Sequence, residues 1–166
     1  MKLLIVDDEE LTRTGVISSI DWQSIGIQEV LQADDGINGI EMARVHRPDI
    51  VLCDVRMPRL DGIAMLEQLE EILPDIVPVF MSGYSDKEYL KAAIKLKAVN
   101  YIEKPLNPVE IRDAIMEARD LCLEKKRTRQ NASIHSMESA SRLALLLTQP
   151  FAHAKESIDQ LIAELS

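Results

Sequence analysis

The chain has 166 residues, a formal net charge of -9, 46% hydrophobic and 28% charged residues, and two cysteines. That length accommodates one domain of ordinary size and a short appendage, not two full domains. The net charge argues against a grip on nucleic-acid phosphates, with the acidity concentrated before residue 121, while Cys53 and Cys122 support neither a disulfide framework nor the paired spacing of a zinc site.

Strand and helix patterns alternate along the chain. Lys2–Val6 is a continuous apolar strand, and Glu10 to Ile20 has the spacing of a helix burying Leu11, Val16, Ile17 and Ile20. A loop with Asp21, Trp22 and Gly26 leads to a second strand near Ile27–Ala33. Asp35-Gly36 opens a helix to about His46, which Pro48 stops. Asp49–Asp54 reads as the third strand, Asp61-Gly62 as the head of the third helix, and Pro74 as its end. Ile76–Met81 is the fourth strand, with Pro78 marking an edge or bulge near its start. Ser85-x-x-Glu88 has the form of a capping box for a fourth helix. Val99–Glu103 is the fifth strand, and Asn107-Pro108-x-Glu110 caps the fifth helix.

Continuous apolar strands joined by helices imply a parallel sheet covered on both faces, with right-handed crossovers. The expected fold is a flavodoxin-like, doubly wound (βα)5 sandwich with a C-terminal helical extension and strand order 2-1-3-4-5, whose ligands sit beyond the carboxyl ends of the strands.

Four apolar runs stop at polar residues: LLIV before Asp7-Asp8, IVLC before Asp54, VFM before Ser82 and VNYIE before Lys104. On one sheet edge these residues would bring together three carboxylates, a hydroxyl and an ammonium. Carboxylate oxygens completed by water suit Mg²⁺ or Mn²⁺. Asp54 is both a further ligand and a candidate nucleophile, since an aspartate accepts a phosphoryl group as an acyl phosphate. Lys104 could pair with Asp54 before reaction and with a phosphoryl oxygen after it, and Ser82 offers a hydroxyl to another oxygen. Singly, each has a plainer reading: Asp7-Asp8 as a solvated turn or a helix cap, Ser82-Gly83 as turn chemistry, Lys104-Pro105 as a surface lysine, Asp61-Gly62 as only a helix start. Their ordered recurrence at strand ends favours the joint reading.

Residues 1 to about 123 resemble a bacterial response-regulator receiver domain, through LLIVDDEE, ADDGINGIEMA, PDIVLCDVRMPRLDG, PVFMSGYSD and YIEKP. The resemblance implies that Asp54 is the phosphoacceptor, that Asp7 and Asp8 are the acidic pair at the cation, and that the backbone carbonyl of Arg56 completes the protein's share of the Mg²⁺ shell. It further implies Ser82 as the switch hydroxyl, Tyr101 as the switch aromatic, a cis proline after Lys104, and Arg56 and Tyr84 as side chains that tune the phosphorylated lifetime. A half-buried strand tyrosine is the plainer reading of Tyr101. The implied partner is a sensor histidine kinase. The implied output is a remodelled surface around the fourth helix, fifth strand and fifth helix that pairs two copies on phosphorylation. Ala98 and Glu103 depart from the commoner glycine and small or hydrophobic residue of such domains, without removing a proposed catalytic group.

SIDWQSIGI and SGYSDKEY are similar to receivers that precede AraC-type DNA-binding regions, so a transcriptional output through a domain absent from this chain is expected. Residues 124–166 are expected to be a helical linker cut short before that domain, or a complete small appendage. Ile134, Met137, Ser141, Ala144, Thr148 and Phe151 make a poor heptad seam, Ile158, Leu161, Ile162 and Leu165 a short helical stripe, and Pro150 a break between helices. The basic cluster Lys125, Lys126, Arg127 and Arg129 reads as a solvated stretch. A rival class, an aspartate-nucleophile phosphohydrolase, would want a second aspartate where Arg56 stands. A flavodoxin-like cofactor site would place its anion against DDEE, which repels it. With no bilayer-length apolar stretch and no signal-peptide pattern, a cytoplasmic signalling protein, not a turnover enzyme, is expected.

Overall fold

The computed structural model describes residues 1–83, 91 and 94–147. The elements are β1 (Lys2–Val6), α1 (Glu10–Ser19), β2 (Glu29–Ala33), α2 (Gly36–His46), β3 (Ile50–Asp54), α3 (Gly62–Ile72), β4 (Val77–Ser82), β5 (Asn100–Glu103) and a C-terminal helix (Pro108–Leu147). All strand pairs are parallel, in one sheet of order β2-β1-β3-β4-β5. The expected sheet order and flavodoxin-like class are therefore met. The capping box at Ser85 and the fourth helix it heads lie outside the described residues. Chain contacts divide the molecule into two compact units, Met1–Glu124 and Lys125–Ser166.

Alternation along the strands builds a core on each face of the sheet. Leu3, Ile5, Ile50, Leu52, Val79 and Met81 face one cluster, closed by Trp22, Ile25 and Ile27 and by Ile111, Ala114, Ile115 and Ala118 of the C-terminal helix. Leu4, Val6, Val51, Cys53 and Phe80 face the other, closed by Ile40 and Ala43 of α2 and Met65, Leu66 and Leu69 of α3. Such double coverage explains why β1, β3 and β4 read as unbroken apolar runs.

One strand start and one burial differ from expectation for identifiable reasons. The second strand begins at Glu29, not Ile27, because the Ile27 N–H closes a turn onto the Trp22 carbonyl at 2.9 Å. Leu11, expected inside, is 87% exposed. It lies about 140° around α1 from the buried Val16 at 3.6 residues per turn, so one face cannot bury both. Pro78 occupies the second position of β4. The Val77 N–H bonds to Asp49 on the β3 side, so Pro78 faces β5, where pairing begins only at Val79, and its missing donor costs no ladder bond. Asn107 caps the C-terminal helix, accepting the Val109 N–H at 2.9 Å. With no glycine or further proline to stop it, that helix runs 40 residues to Leu147. Met137 of the weak heptad pattern is exposed; Thr148, Pro150, Phe151, Ile158, Leu161, Ile162 and Leu165 lie outside the described residues.

Both cysteines are free and buried, and burial, followed by the charge of Asp54, pushes the Cys53 thiol well above the ordinary cysteine range. The thiolate is the reactive form. Neither cysteine is expected to react with a water-soluble disulfide reagent on the native chain, and both should react in denaturant. Rapid native labelling, located by peptide mass, would contradict this packing.

Candidate functional site

The register of the sheet assembles the site. Val6 lies opposite Cys53, Asp54 opposite Met81, and Ser82 opposite Glu103. The next residues of β1 and β5, Asp7 and Lys104, therefore come level with the ends of β3 and β4. The Lys104 N–H donates to the Ser82 carbonyl at 2.8 Å, extending the ladder by one rung and fixing where the lysine departs. The Lys104-Pro105 peptide is cis.

Asp7 is fully buried and Asp54 is 6% exposed. The Lys104 ammonium bridges them, donating to Asp7 Oδ2 at 2.9 Å and to Asp54 Oδ2 at 2.5 Å. The remaining oxygens are held by backbone: Asp7 Oδ1 accepts the Glu9 N–H at 2.9 Å and Asp54 Oδ1 the Arg56 N–H at 3.1 Å. Burial raises the Asp7 pKa, only partly offset by the bonds from Lys104 and Glu9. Burial alone would lower that of Lys104, but its bonds to Asp54 and Asp7 outweigh this and hold it above the ordinary lysine value. The lysine therefore stays charged at neutral pH.

Asp8 is exposed beside this pair, and one carboxylate oxygen from each of Asp7, Asp8 and Asp54 falls within 4.8 Å of the others. Three carboxylates against one ammonium leave two negative charges when all are ionised. An all-oxygen donor set with that excess fits a small divalent cation. Ser82 is buried at the end of β4. Tyr101 is half-buried and packs on the core under α2 and α3, and the side chain of Arg56 is exposed. Tyr84 lies outside the described residues.

Two supports escaped the sequence reading. Arg13 donates from its guanidinium to the Asp7 carbonyl at 2.6 Å and pins the turn after β1. Gly62 does more than start a helix: a Cβ there would lie 2.2 Å from the Asp54 carbonyl oxygen, while its N–H bonds to Val55 at 3.0 Å. Asp61 does cap α3, accepting the Ala64 N–H at 2.7 Å. The pair of residues was legible as a cap, but the close approach to Asp54 requires the fold.

Comparison with known proteins places this architecture. Residues 3–116 match the response regulator receiver domain. In a crystal structure of a two component transcriptional regulator AraC from Clostridium phytofermentans, 98% of that chain and 77% of this one align with 45% identity and a TM-score of 0.69. An uncharacterized response regulatory protein of Staphylococcus epidermidis is 29% identical over 136 residues, covering 81% of this chain and 53% of that protein. Transcriptional regulatory protein HptR of Staphylococcus aureus is 26% identical over 160 residues, covering 96% of this chain and 62% of that protein. The chain belongs to the response regulator receiver domain family, a signalling domain of two-component systems. It spans only part of the length of its curated relatives. Among the described residues, no helix is long and apolar enough to cross a membrane.

Gly62→Ala should destabilise the chain by about 1–3 kcal/mol in urea unfolding, as overpacking does. Gly83→Ala, with open space around its Cβ position, should stay within about 0.5 kcal/mol of the parent. The folded-state pKa of Asp7 stands above the ordinary 3.8, so this group favours folding fully only below its unfolded pKa and loses that contribution as pH rises through the raised value. Without divalent cations, Asp7→Asn should therefore melt higher than the parent at neutral pH. The gain should fade as pH falls through the raised value toward 3.8, as measured by calorimetry.

Proposed function

We propose that this chain is a phosphorylation switch in which the Asp54 carboxylate takes a phosphoryl group from a phosphohistidine of a sensor kinase. An oxygen of Asp54 forms the new O–P bond as the donor's N–P bond breaks, and the imidazole keeps the electron pair. The observation that carries this reading is the Lys104 ammonium bound to Asp54 and Asp7 beside a three-carboxylate cluster. Asp7, Asp8, Asp54 and the backbone carbonyl of Arg56 would hold Mg²⁺ or Mn²⁺. Held there, such a cation would supply positive charge to offset the negative charge of the transferring group. Lys104 orients Asp54 before reaction and then turns to a phosphoryl oxygen; the Ser82 hydroxyl donates to another.

The added charge is the signal. Drawing Ser82 inward vacates space for Tyr101, and the surface of β5 and its flanking helices is remodelled to favour pairing of two copies. Arg56 and Tyr84 set the lifetime of the acyl phosphate by tuning the approach of water. We assign the chain to the cytoplasm, residues 1–123 to the receiver and residues 124–166 to a connector. The output is transcriptional, through an AraC-type DNA-binding region outside this chain. The similarity to HptR, which extends over 160 residues and thus beyond the receiver, supports that output.

Incubation with Mg²⁺ and acetyl phosphate should yield one phosphoryl adduct by intact mass, lost in Asp54→Asn and on omission of the cation. Persistent labelling of Asp54→Asn would falsify the assignment. Light scattering of the phosphorylated chain should show a shift toward dimer; an unchanged monomer would sink the dimerisation step alone.

A further inference from the structure

In the loop that follows Asp54, Arg59 adopts a left-handed backbone with φ of 66°. That conformation is unfavourable for a residue with a Cβ and is usually given to glycine or asparagine. The Arg59 guanidinium pairs with the Asp35 carboxylate, whose side chain is 3% exposed against 53% for the arginine. Asp35 simultaneously caps α2, accepting the N–H groups of Ile37 at 2.8 Å and Asn38 at 2.9 Å. Beside this pair, Gly36 at the start of α2 sits so close to the loop that a Cβ would lie 2.5 Å from the Leu60 carbonyl oxygen. The loop is thus gripped twice. Its inner end is tied to Asp54 through the Arg56 N–H and through Gly62, and its outer turn to the head of α2.

We propose that the Arg59–Asp35 ion pair clamps the loop after Asp54 onto α2, making Arg59 a positioning residue for phosphoryl transfer and for cation binding at the acidic cluster. The inference rests on the reading of Asp54 as phosphoacceptor. A charge partner for a buried carboxylate explains why an arginine occupies a backbone position that glycine would fill with less strain. The clamp acts through the Arg56 backbone, whose N–H holds Asp54 Oδ1. Releasing the outer turn loosens that bond and lets the carboxylate rotate away from its orientation on Lys104.

The test is a double-mutant cycle on the full chain, with Mg²⁺ affinity by calorimetry, labelling rate with acetyl phosphate, and thermal unfolding without divalent cations. Arg59→Gly removes the charge while easing the backbone, and Asp35→Asn keeps the cap while removing its charge. Each should lower Mg²⁺ affinity and labelling rate roughly tenfold, as loss of an outer support does, while unfolding remains cooperative. The double variant should lose no more than either single change, since the two residues act as one unit. Arg59→Lys should recover part of the loss. Parent-like affinity and rate in a folded Arg59→Gly, or additive losses in the double variant, overturn the clamp. A parent chain that takes no label overturns the phosphoacceptor reading instead, and the Mg²⁺ titration then decides the clamp by itself.

Discussion

One ammonium between two buried carboxylates is the interaction on which the rest of this structure depends. Removing a carboxylate from water costs several kcal/mol unless charge and hydrogen bonds replace the hydration, and Asp7 is fully buried with Asp54 nearly so. Lys104 answers both at once, with the Glu9 and Arg56 N–H groups taking the other oxygens. The arrangement is balanced but incomplete, because a single positive charge cannot neutralise three carboxylates. That residual charge suits a cation. It also makes the lysine responsive, since any new anionic group on Asp54 competes for the same ammonium.

The scaffold serves this pairing through register. Asp54 and Ser82 end β3 and β4, Asp7 and Lys104 directly follow β1 and β5, and each is placed by the ladder to its neighbour. A slip of one residue in any strand would turn its side chains to the opposite face. The two cores prevent such a slip, because Leu3 and Ile5 belong to one face while Leu4 and Val6 belong to the other. The loop with Trp22, Ile25 and Ile27 adds to the first core, and Arg119 of the C-terminal helix donates to the Ile25 carbonyl at 3.2 Å. Thus the segment between α1 and β2 braces the first turns of the C-terminal helix.

Membership of the receiver family connects these facts to signalling. The arrangement has the energetics a switch needs, because a few groups share a limited set of bonds that an added charge would redistribute. The carboxylate cluster, the ammonium and the Ser82 hydroxyl lie at one edge of the sheet, and Lys104, which directly follows β5, touches Asp7 and Asp54.

By itself the sequence determined the strand order, the helices found among the described residues, the parallel class of the sheet, and the alignment of Asp7, Asp8, Asp54, Ser82 and Lys104 at strand ends. These are written in local patterns: apolar runs, caps such as Asp35, Asp61 and Asn107, and breakers such as Pro48 and Pro74. The tertiary structure decided what depends on residues distant in the chain. Helical periodicity separates Leu11 from Val16, but only packing against the sheet decides which of the two sides of α1 is buried. The turn from Ile27 to Trp22, the Arg13 bond to the Asp7 carbonyl, and the sharing of Lys104 between two carboxylates have no local signature. Gly62 read as a helix start and proved also to be a close backbone contact with Asp54. Periodicity constrains a residue's own element, whereas charge compensation and close approach are properties of the space between elements, which exists only once the chain has folded.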